Sequence, residues 1–328
     1  MTSHRILWLD YARFFAIFLV VVAHTPLYTP LVNIIYCFHV PLFFFISGSL
    51  FSFQRHPSFR GFALRRASQL LVPYLWMNLL TYAFWLLIGR KMGAGIEEDV
   101  AWYEPLKHAL LVNGPEMIHN VPLWFLPCLF LTEMIFYVVC HRSEQRKWLA
   151  VGGFVVVGGA VSHFLSGSLP FSLGTALVAA AFYAAGYHLR KQTMQLQPRW
   201  WGMLGAGFVV VTVGLFNGRI NMHTNYYHHY LLFLVGAVAG IYGMLGLAKT
   251  LSSLQLPIKW MLVLSHRTIY ICGFHLLVFA FLKGIMAYVL QLPPDILQQT
   301  VWPNLLFSTI ATAVFLMKWP FGNRRMER

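Results

Sequence analysis

Four ionisable side chains lie within the first 39 residues, in stretches that are otherwise apolar enough to cross a bilayer. Asp10, Arg13 and His24 belong to the first stretch and His39 to the second. An ionisable group at membrane depth is costly, so its presence there indicates a functional site. Histidine can act as a general base near neutral pH or carry an acyl group. These residue types therefore indicate proton transfer or group transfer inside a membrane.

The spacing of these residues predicts that they share one helix face. Arg13 and His24 are eleven positions apart, which is close to three full helical turns and about 16 Å along the axis. Asp10 lies three positions before Arg13 and falls on the same stripe. In one interpretation Arg13 extends toward the membrane surface with Asp10 as its partner, and His24 caps the helix. The presence of His39, a second histidine at a predicted depth similar to that of His24, favours a functional site over this structural interpretation.

The chain as a whole is too apolar for a soluble globular protein. Of its 328 residues, 58% are hydrophobic and only 10% are charged, whereas a soluble domain carries about 25% charged residues. A membrane-spanning helix needs about 20 mainly apolar residues. The sequence therefore predicts an all-α polytopic membrane protein with a single domain, residues 1–328. Ten spans are expected, at residues 6–24, 31–53, 69–88, 121–140, 148–165, 171–188, 202–216, 229–248, 266–290 and 299–317.

Basic residues predict how these spans are oriented. If the N-terminus is cytoplasmic, 17 Lys and Arg residues flank the spans on the inner side and only four on the outer side. Cytoplasmic loops carry such an excess, so both termini are predicted to be cytoplasmic. The net charge of +14 is spread over these short segments, and nucleic acid is not expected as a partner. The four cysteines lie in apolar runs without metal-ligand spacing, and no metal site is expected.

Several motifs occur along the chain in an order that is typical of one family. They are Asp10-Tyr11-Ala12-Arg13; the Arg-x10-His spacing of Arg13 and His24; Phe38-His39-Val40-Pro41-Leu42-Phe43-Phe44 with Ser47-Gly48; Arg65-Arg66 before Leu71-Val72-Pro73-Tyr74; Trp124-Phe125-Leu126; and Ser265, Ile269-Tyr270 and His275. With these motifs the chain resembles the acyltransferase 3 family of integral membrane O-acyltransferases. The resemblance extends over nearly the whole sequence.

This resemblance implies transfer of an acyl group, usually acetyl from cytoplasmic acetyl-CoA, to a carbohydrate hydroxyl, often at the outer face of a bacterial inner membrane. The implied partners are the acyl-CoA donor, a carbohydrate acceptor or its lipid-linked precursor, and the bilayer, with no permanently bound cofactor. Arg13 and His24 match the family motif that is associated with acyl-CoA engagement and catalysis. A stand-alone form is expected, without the hydrolase-like domain that some members append.

The resemblance and the helix geometry together assign roles to individual residues. His24 is expected to take the proton from the acceptor hydroxyl, and an acyl-histidine intermediate is the competing route. Arginines near the cytoplasm are expected to hold the phosphates of CoA. The expected catalytic residues are His24, His39 and Asp10; the expected donor-binding residues are Arg13, Arg65 and Arg66; and the expected acceptor-binding residues are Trp124, Glu133, Tyr270 and His275.

Two features have a structural interpretation beside the functional one. Glu133, within the fourth predicted span, is either a protonated or Arg-paired structural group, or a group that orients a histidine or binds an acceptor hydroxyl. The aromatic and imidazole cluster at residues 223–229 is either an interfacial belt or a surface on which a sugar stacks.

A transporter or flippase is the alternative to an enzyme. In such a protein Asp10, Arg13, Glu133 and the histidines would form a proton or substrate pathway. Transporters often contain inverted repeats with broken helices at matching positions, and the sequence shows no such symmetry. The enzyme is therefore the favoured interpretation.

Overall fold

The computed structural model describes residues 6–25, 27–91, 100–112, 117–141, 147–165, 169–254, 258–289 and 291. These residues form helices and connecting turns, and no strand occurs among them beyond one isolated bridge between Asn221 and Tyr226. The predicted all-α class is thus confirmed. The tenth predicted span, 299–317, lies outside the described residues.

The described part of the chain contains thirteen α-helices. In chain order they are α1 (Leu7–Ala23), α2 (Thr29–Tyr36), α3 (His39–Leu50), α4 (Phe59–Leu87), α5 (Glu104–Leu111), α6 (Phe125–Cys140), α7 (Lys147–Phe164), α8 (Leu173–His188), α9 (Arg190–Gln195), α10 (Trp200–Phe216), α11 (Tyr230–Ser253), α12 (Lys259–His266) and α13 (Thr268–Gly284). A 3-10 turn, Val121–Trp124, leads into α6, and a π-helical turn, Ile285–Val289, follows α13.

Six helical segments are long and apolar enough to cross a membrane, in agreement with the predicted membrane character. They are Thr29–Leu50, Phe59–Lys91, Val121–Cys140, Pro170–His188, Tyr230–Ser253 and Thr268–Val289. The apolar helices α7 and α10 are shorter, and α1 has 17 residues. The total of ten spans and the cytoplasmic location of both termini remain predictions.

Helix α1 is enclosed by the rest of the bundle. It packs against α2, α3, α11, α12 and α13, and Tyr11, Ala12 and Ala16 are completely buried. A helix that is apolar on all sides is stable only when it is surrounded in this way. The polar groups on α1 must therefore find partners within the protein.

The second predicted span is broken at residues 37–38, between α2 and α3. The end of a helix leaves backbone carbonyls without intrahelical partners. Here the carbonyl of Ile35 accepts from the backbone N–H of Phe38, at 3.2 Å, and from Nδ1 of His39, at 2.8 Å. Pro41 sits in the first turn of α3, where its missing N–H removes no helical bond. The break thus places His39 at the start of a helix inside the bundle.

Helices α3 and α8 approach each other so closely that glycine is required on both. A Cβ added at Gly48 would lie 1.9 Å from the carbonyl oxygen of Tyr183, and one added at Gly186 would lie 2.0 Å from that of Phe45. Small residues permit this kind of close backbone packing between membrane helices. The contact holds α3, and with it His39, in a fixed position.

Candidate active site

A cavity of about 740 Å³ lies beside α1. Its wall is formed by residues of α1, α2, α3, α4, α6, α12 and α13, by the turn before α6, and by residues 221–223. Six of the ten predicted site residues line it: Arg13, His24, His39, Arg66, Trp124 and Tyr270. The other four are outside the lining; Asp10, Glu133 and His275 are buried behind it, and Arg65 is exposed.

The cavity has two chemically different ends. We call the end with Arg13, Asp10, His266, Arg66 and Glu133 the charged end, and the end with His24, His39, His275, Trp124 and His223 the imidazole end. Arg13 lies near the middle of α1, and His24 caps its C-terminal end eleven residues later, a separation of about 16 Å along the helix axis. Trp124 precedes Glu133 by nine residues at the start of α6, a separation of roughly 14 Å.

At the charged end, Arg13 is balanced by Asp10. Its Nη1 lies 3.6 Å from Oδ1 of Asp10, and Nε2 of His266 lies 3.9 Å from the other carboxylate oxygen. The predicted pairing of Arg13 with Asp10 is therefore present. Because 3.6 Å is too long for a hydrogen bond, the guanidinium N–H groups of Arg13 remain available to a ligand in the cavity.

Arg66 is engaged much more tightly by Glu133. Its Nε and Nη2 donate to the two carboxylate oxygens at 2.5 and 2.7 Å, and its Nη1 donates to Gln69 at 2.7 Å. The side chain of Tyr183 is also close enough to this carboxylate to interact with it. Such a forked pair uses most of the directional capacity of a guanidinium. Glu133 is thus Arg-paired, as its structural interpretation predicts, and Arg66 has fewer donors left for a phosphate than Arg13.

At the imidazole end, three histidines share one hydrogen-bonding pattern. Nδ1 of His24, His39 and His275 lies 2.7 to 2.8 Å from the carbonyl oxygen of the residue four positions earlier in each case. A carbonyl only accepts, so Nδ1 carries the proton in each neutral ring. The remaining nitrogen, Nε2, then has a free lone pair, as a general base requires.

The three imidazoles are arranged around the same part of the cavity. The rings of His24 and His275 are 5.0 Å apart between centroids and meet edge to face. His39 is close enough to His24 to interact with it electrostatically, and its ring lies 5.1 Å from that of Tyr36. His24 and His39 face the cavity, whereas His275 is fully buried behind His24. Its Nε2 has no hydrogen-bond partner among the described residues.

The loop before α11 contributes residues that the sequence did not assign to the site. Asn221, Met222 and His223 line the cavity, and the ring of His223 lies 5.7 Å from that of Trp124. The predicted cluster at residues 223–229 is divided: Tyr226 is exposed and Tyr227 is buried in the core. The asparagine-rich composition of residues 217–225 is the one sequence signal for an ordered loop here.

The two ends of the cavity differ in the chemistry that their side chains can perform. Among the described residues, no group of three His, Cys, Asp or Glu side chains is placed to hold a metal ion. An available cation at one end could bind an anionic group, and two neutral imidazoles at the other could remove a proton from a bound hydroxyl.

A family model described as an acyltransferase domain matches residues 6–318 of the chain. The match includes every residue of both cavity ends, and it does not favour the transporter alternative. Searches of curated proteins and of solved structures gave no match. The resemblance seen in the motifs is thereby confirmed over nearly the full sequence. The chain belongs to the acyltransferase 3 family of membrane acyltransferases.

Proposed function

We propose that this protein transfers an acetyl group from acetyl-CoA to a hydroxyl of a cell-surface carbohydrate, or of its lipid-linked precursor, in a bacterial inner membrane. The observation that carries the proposal is that one cavity contains both the available cation of Arg13 and the imidazole of His24, about 16 Å further along α1, with the imidazole of His39 in the same cavity wall. Membership of an acyltransferase family supplies the reaction class.

The donor enters from the charged end. The distribution of Lys and Arg residues along the sequence predicts that this end faces the cytoplasm. CoA carries phosphates at one end and its thioester at the other, joined by an extended arm. Arg13 binds a phosphate through charge-assisted hydrogen bonds, and the exposed Arg65 adds positive potential at the entrance. Arg66, whose charge is balanced by Glu133, contributes only its remaining N–H donors. The thioester then reaches the imidazole end.

Transfer takes place at Nε2 of His24. This nitrogen accepts the proton of the acceptor hydroxyl while the hydroxyl oxygen bonds to the thioester carbonyl carbon. The carbon–sulfur bond then breaks, and the CoA sulfur leaves with the proton returned from His24. His39 presents a second Nε2 lone pair to the same space. Asp10 does not line the cavity, and its role is to balance the charge of Arg13. In the competing route Nε2 of His24 attacks the thioester carbonyl carbon, the carbon–sulfur bond breaks and the CoA thiolate leaves, which gives an acyl-histidine. The acceptor hydroxyl then attacks this acyl group, loses its proton and frees the imidazole.

Reconstitution in liposomes tests this proposal. The purified protein is given acetyl-CoA labelled in the acetyl group together with the surface-glycan fraction of the source cells, stripped of its esters by mild base. Glycan labelling that depends on the thioester is expected, with one CoA released for each acetyl group transferred. Glycan movement across the bilayer without CoA release would contradict the proposal. Label that stays on the protein after rapid denaturation at neutral pH, in the absence of glycan, would favour the acyl-histidine route.

A further inference from the structure

The loop at residues 217–229, between α10 and α11, is closed by its own hydrogen bonds. Asn217 is completely buried; its amide donates to the carbonyl of Tyr227 at 3.1 Å and accepts from the backbone N–H of His229 at 3.0 Å. Asn221 and Tyr226 exchange two backbone hydrogen bonds, at 2.7 and 3.0 Å. The loop therefore has a defined shape that depends on two asparagines.

The same loop is anchored to the helical bundle. The hydroxyl of Thr175 on α8 donates to the carbonyl of Met222 at 2.7 Å, and Ile220 and Met222 are buried. The backbone turns through left-handed conformations at Gly218 (φ 68°) and Asn225 (φ 54°), which these two residue types tolerate well. These contacts direct residues 221–223 inward, to the cavity wall.

The inward-facing part of the loop lies beside Trp124. Asn221, His223 and Trp124 all line the cavity, and the rings of His223 and Trp124 are 5.7 Å apart at an angle of 50°. The amide oxygen of Asn221 accepts from the backbone N–H of His223 at 3.2 Å. This bond orients the carboxamide and leaves its NH₂ group to donate elsewhere.

We propose that Trp124, Asn221 and His223 form the acceptor subsite, and that they bind a sugar ring. A saccharide has apolar C–H faces and a rim of hydroxyl groups. The indole of Trp124 offers an apolar face, and the amide of Asn221 and the imidazole of His223 offer hydrogen bonds to the rim. The subsite lies at the imidazole end, where His24 and His39 can reach a hydroxyl of the bound ring. This inference rests on the proposed function and names the part of the site that selects the acceptor.

Steady-state kinetics of His223→Ala in liposomes tests the subsite. The acceptor is again the base-treated surface-glycan fraction, titrated by its sugar content, and acetyl-CoA is varied in a separate series. Loss of one hydrogen bond is expected to raise the acceptor KM by roughly 3- to 10-fold and to leave the acetyl-CoA KM unchanged. His223→Gln, which keeps a hydrogen-bonding group, should recover part of the loss.

His229→Ala is the matched control. It removes an exposed imidazole of the same loop that does not line the cavity, so both KM values should stay at the wild-type level. If the wild-type protein labels glycan and His223→Ala keeps its acceptor KM, or raises both KM values equally, the subsite is overturned while the proposed function stands. If the wild-type protein labels no glycan, the proposed function fails, and the subsite fails with it.

Discussion

The two ends of the cavity compensate their polar groups in different ways. At the charged end, arginines face carboxylates: Arg13 lies beside Asp10, and Arg66 is held in a fork by Glu133. At the imidazole end, His24 and His39 donate to backbone carbonyls of the preceding helical turn. The charged end therefore contains paired charges. The imidazole end contains bases whose N–H groups are hydrogen-bonded to the backbone and need no charged partner.

This difference follows from the cost of burial. A full charge inside a membrane protein requires a partner, and breaking such a pair leaves an uncompensated ion. A neutral imidazole needs only a hydrogen bond for its N–H, which a backbone carbonyl supplies locally. We therefore propose that the charged end binds an anionic donor and that the imidazole end transfers protons. The predictions below test that division of roles.

The largest effect is expected for His24→Ala. General-base catalysis contributes about 10²- to 10⁴-fold, so kcat for glycan labelling should fall by that factor while the acetyl-CoA KM stays near the wild-type value. The measurement is the initial rate of labelling in liposomes, with His229→Ala as the control. If His24→Ala instead raised the acetyl-CoA KM at unchanged kcat, the imidazole end would bind the donor, and the division of roles would be wrong.

Glu133→Gln should cause the next largest effect, on stability. It leaves the half-buried guanidinium of Arg66 without its carboxylate. Breaking a fully buried pair typically costs about 3–5 kcal/mol, so the cost here is expected to be smaller than that. We expect a clearly lower midpoint of thermal unfolding in detergent. The double variant Arg66→Met, Glu133→Leu removes both charges and should regain most of the loss.

The double variant also separates structure from donor binding. If it folds and keeps the wild-type acetyl-CoA KM, the Arg66–Glu133 pair is structural, as the filled fork indicates. A raised KM in the stable double variant would show that Arg66 also binds the donor. A single Glu133→Gln variant with unchanged unfolding would contradict the buried-pair argument itself.

The sequence predicts the part of the site that depends on helical periodicity. Arg13 and His24 share a helix, so their spacing is enough to place them at two ends of one cavity wall. The partner of Arg66 could not be predicted in this way, because Glu133 is 67 residues away and only helix packing brings the two together. The inward turn of Asn221 and His223 likewise depends on contacts with α8 that no local pattern reveals.

A smaller effect is expected for Arg13→Lys at the charged end. Lysine keeps the charge but loses the forked geometry with which arginine binds phosphate. Charge-assisted hydrogen bonds contribute about 1.5–3 kcal/mol, so the acetyl-CoA KM should rise by roughly tenfold or more, with kcat less affected. Arg60→Lys, at an exposed position on α4, is the control. An unchanged KM in Arg13→Lys would show that phosphate binding lies elsewhere.

The smallest effect concerns His119, in the segment that leads into the Trp124 turn. Its Nε2 lies 3.1 Å from the amide oxygen of Asn78 and therefore carries the proton, whereas its Nδ1 is buried without a hydrogen-bond partner among the described residues. Burial lowers the pKa of His119 to about 4, against about 6.5 in an unfolded chain. Below pH 6.5 the unfolded state then binds the proton more readily, so folding stability falls as the pH drops from 6.5 toward 4.

At pH 6 the expected loss of stability from His119 is below about 1 kcal/mol relative to pH 7.5. It is measured as the shift in thermal unfolding midpoint between the two pH values. His119→Gln keeps a donor for Asn78 but cannot be protonated, so it should reduce this shift. If the shift were the same in His119→Gln, the pH sensitivity would come from other groups, and the neutral histidines of the imidazole end would be the first to test. A reduced shift would assign this part of the acid sensitivity to His119, which pairs with Asn78 on α4 and does not line the cavity.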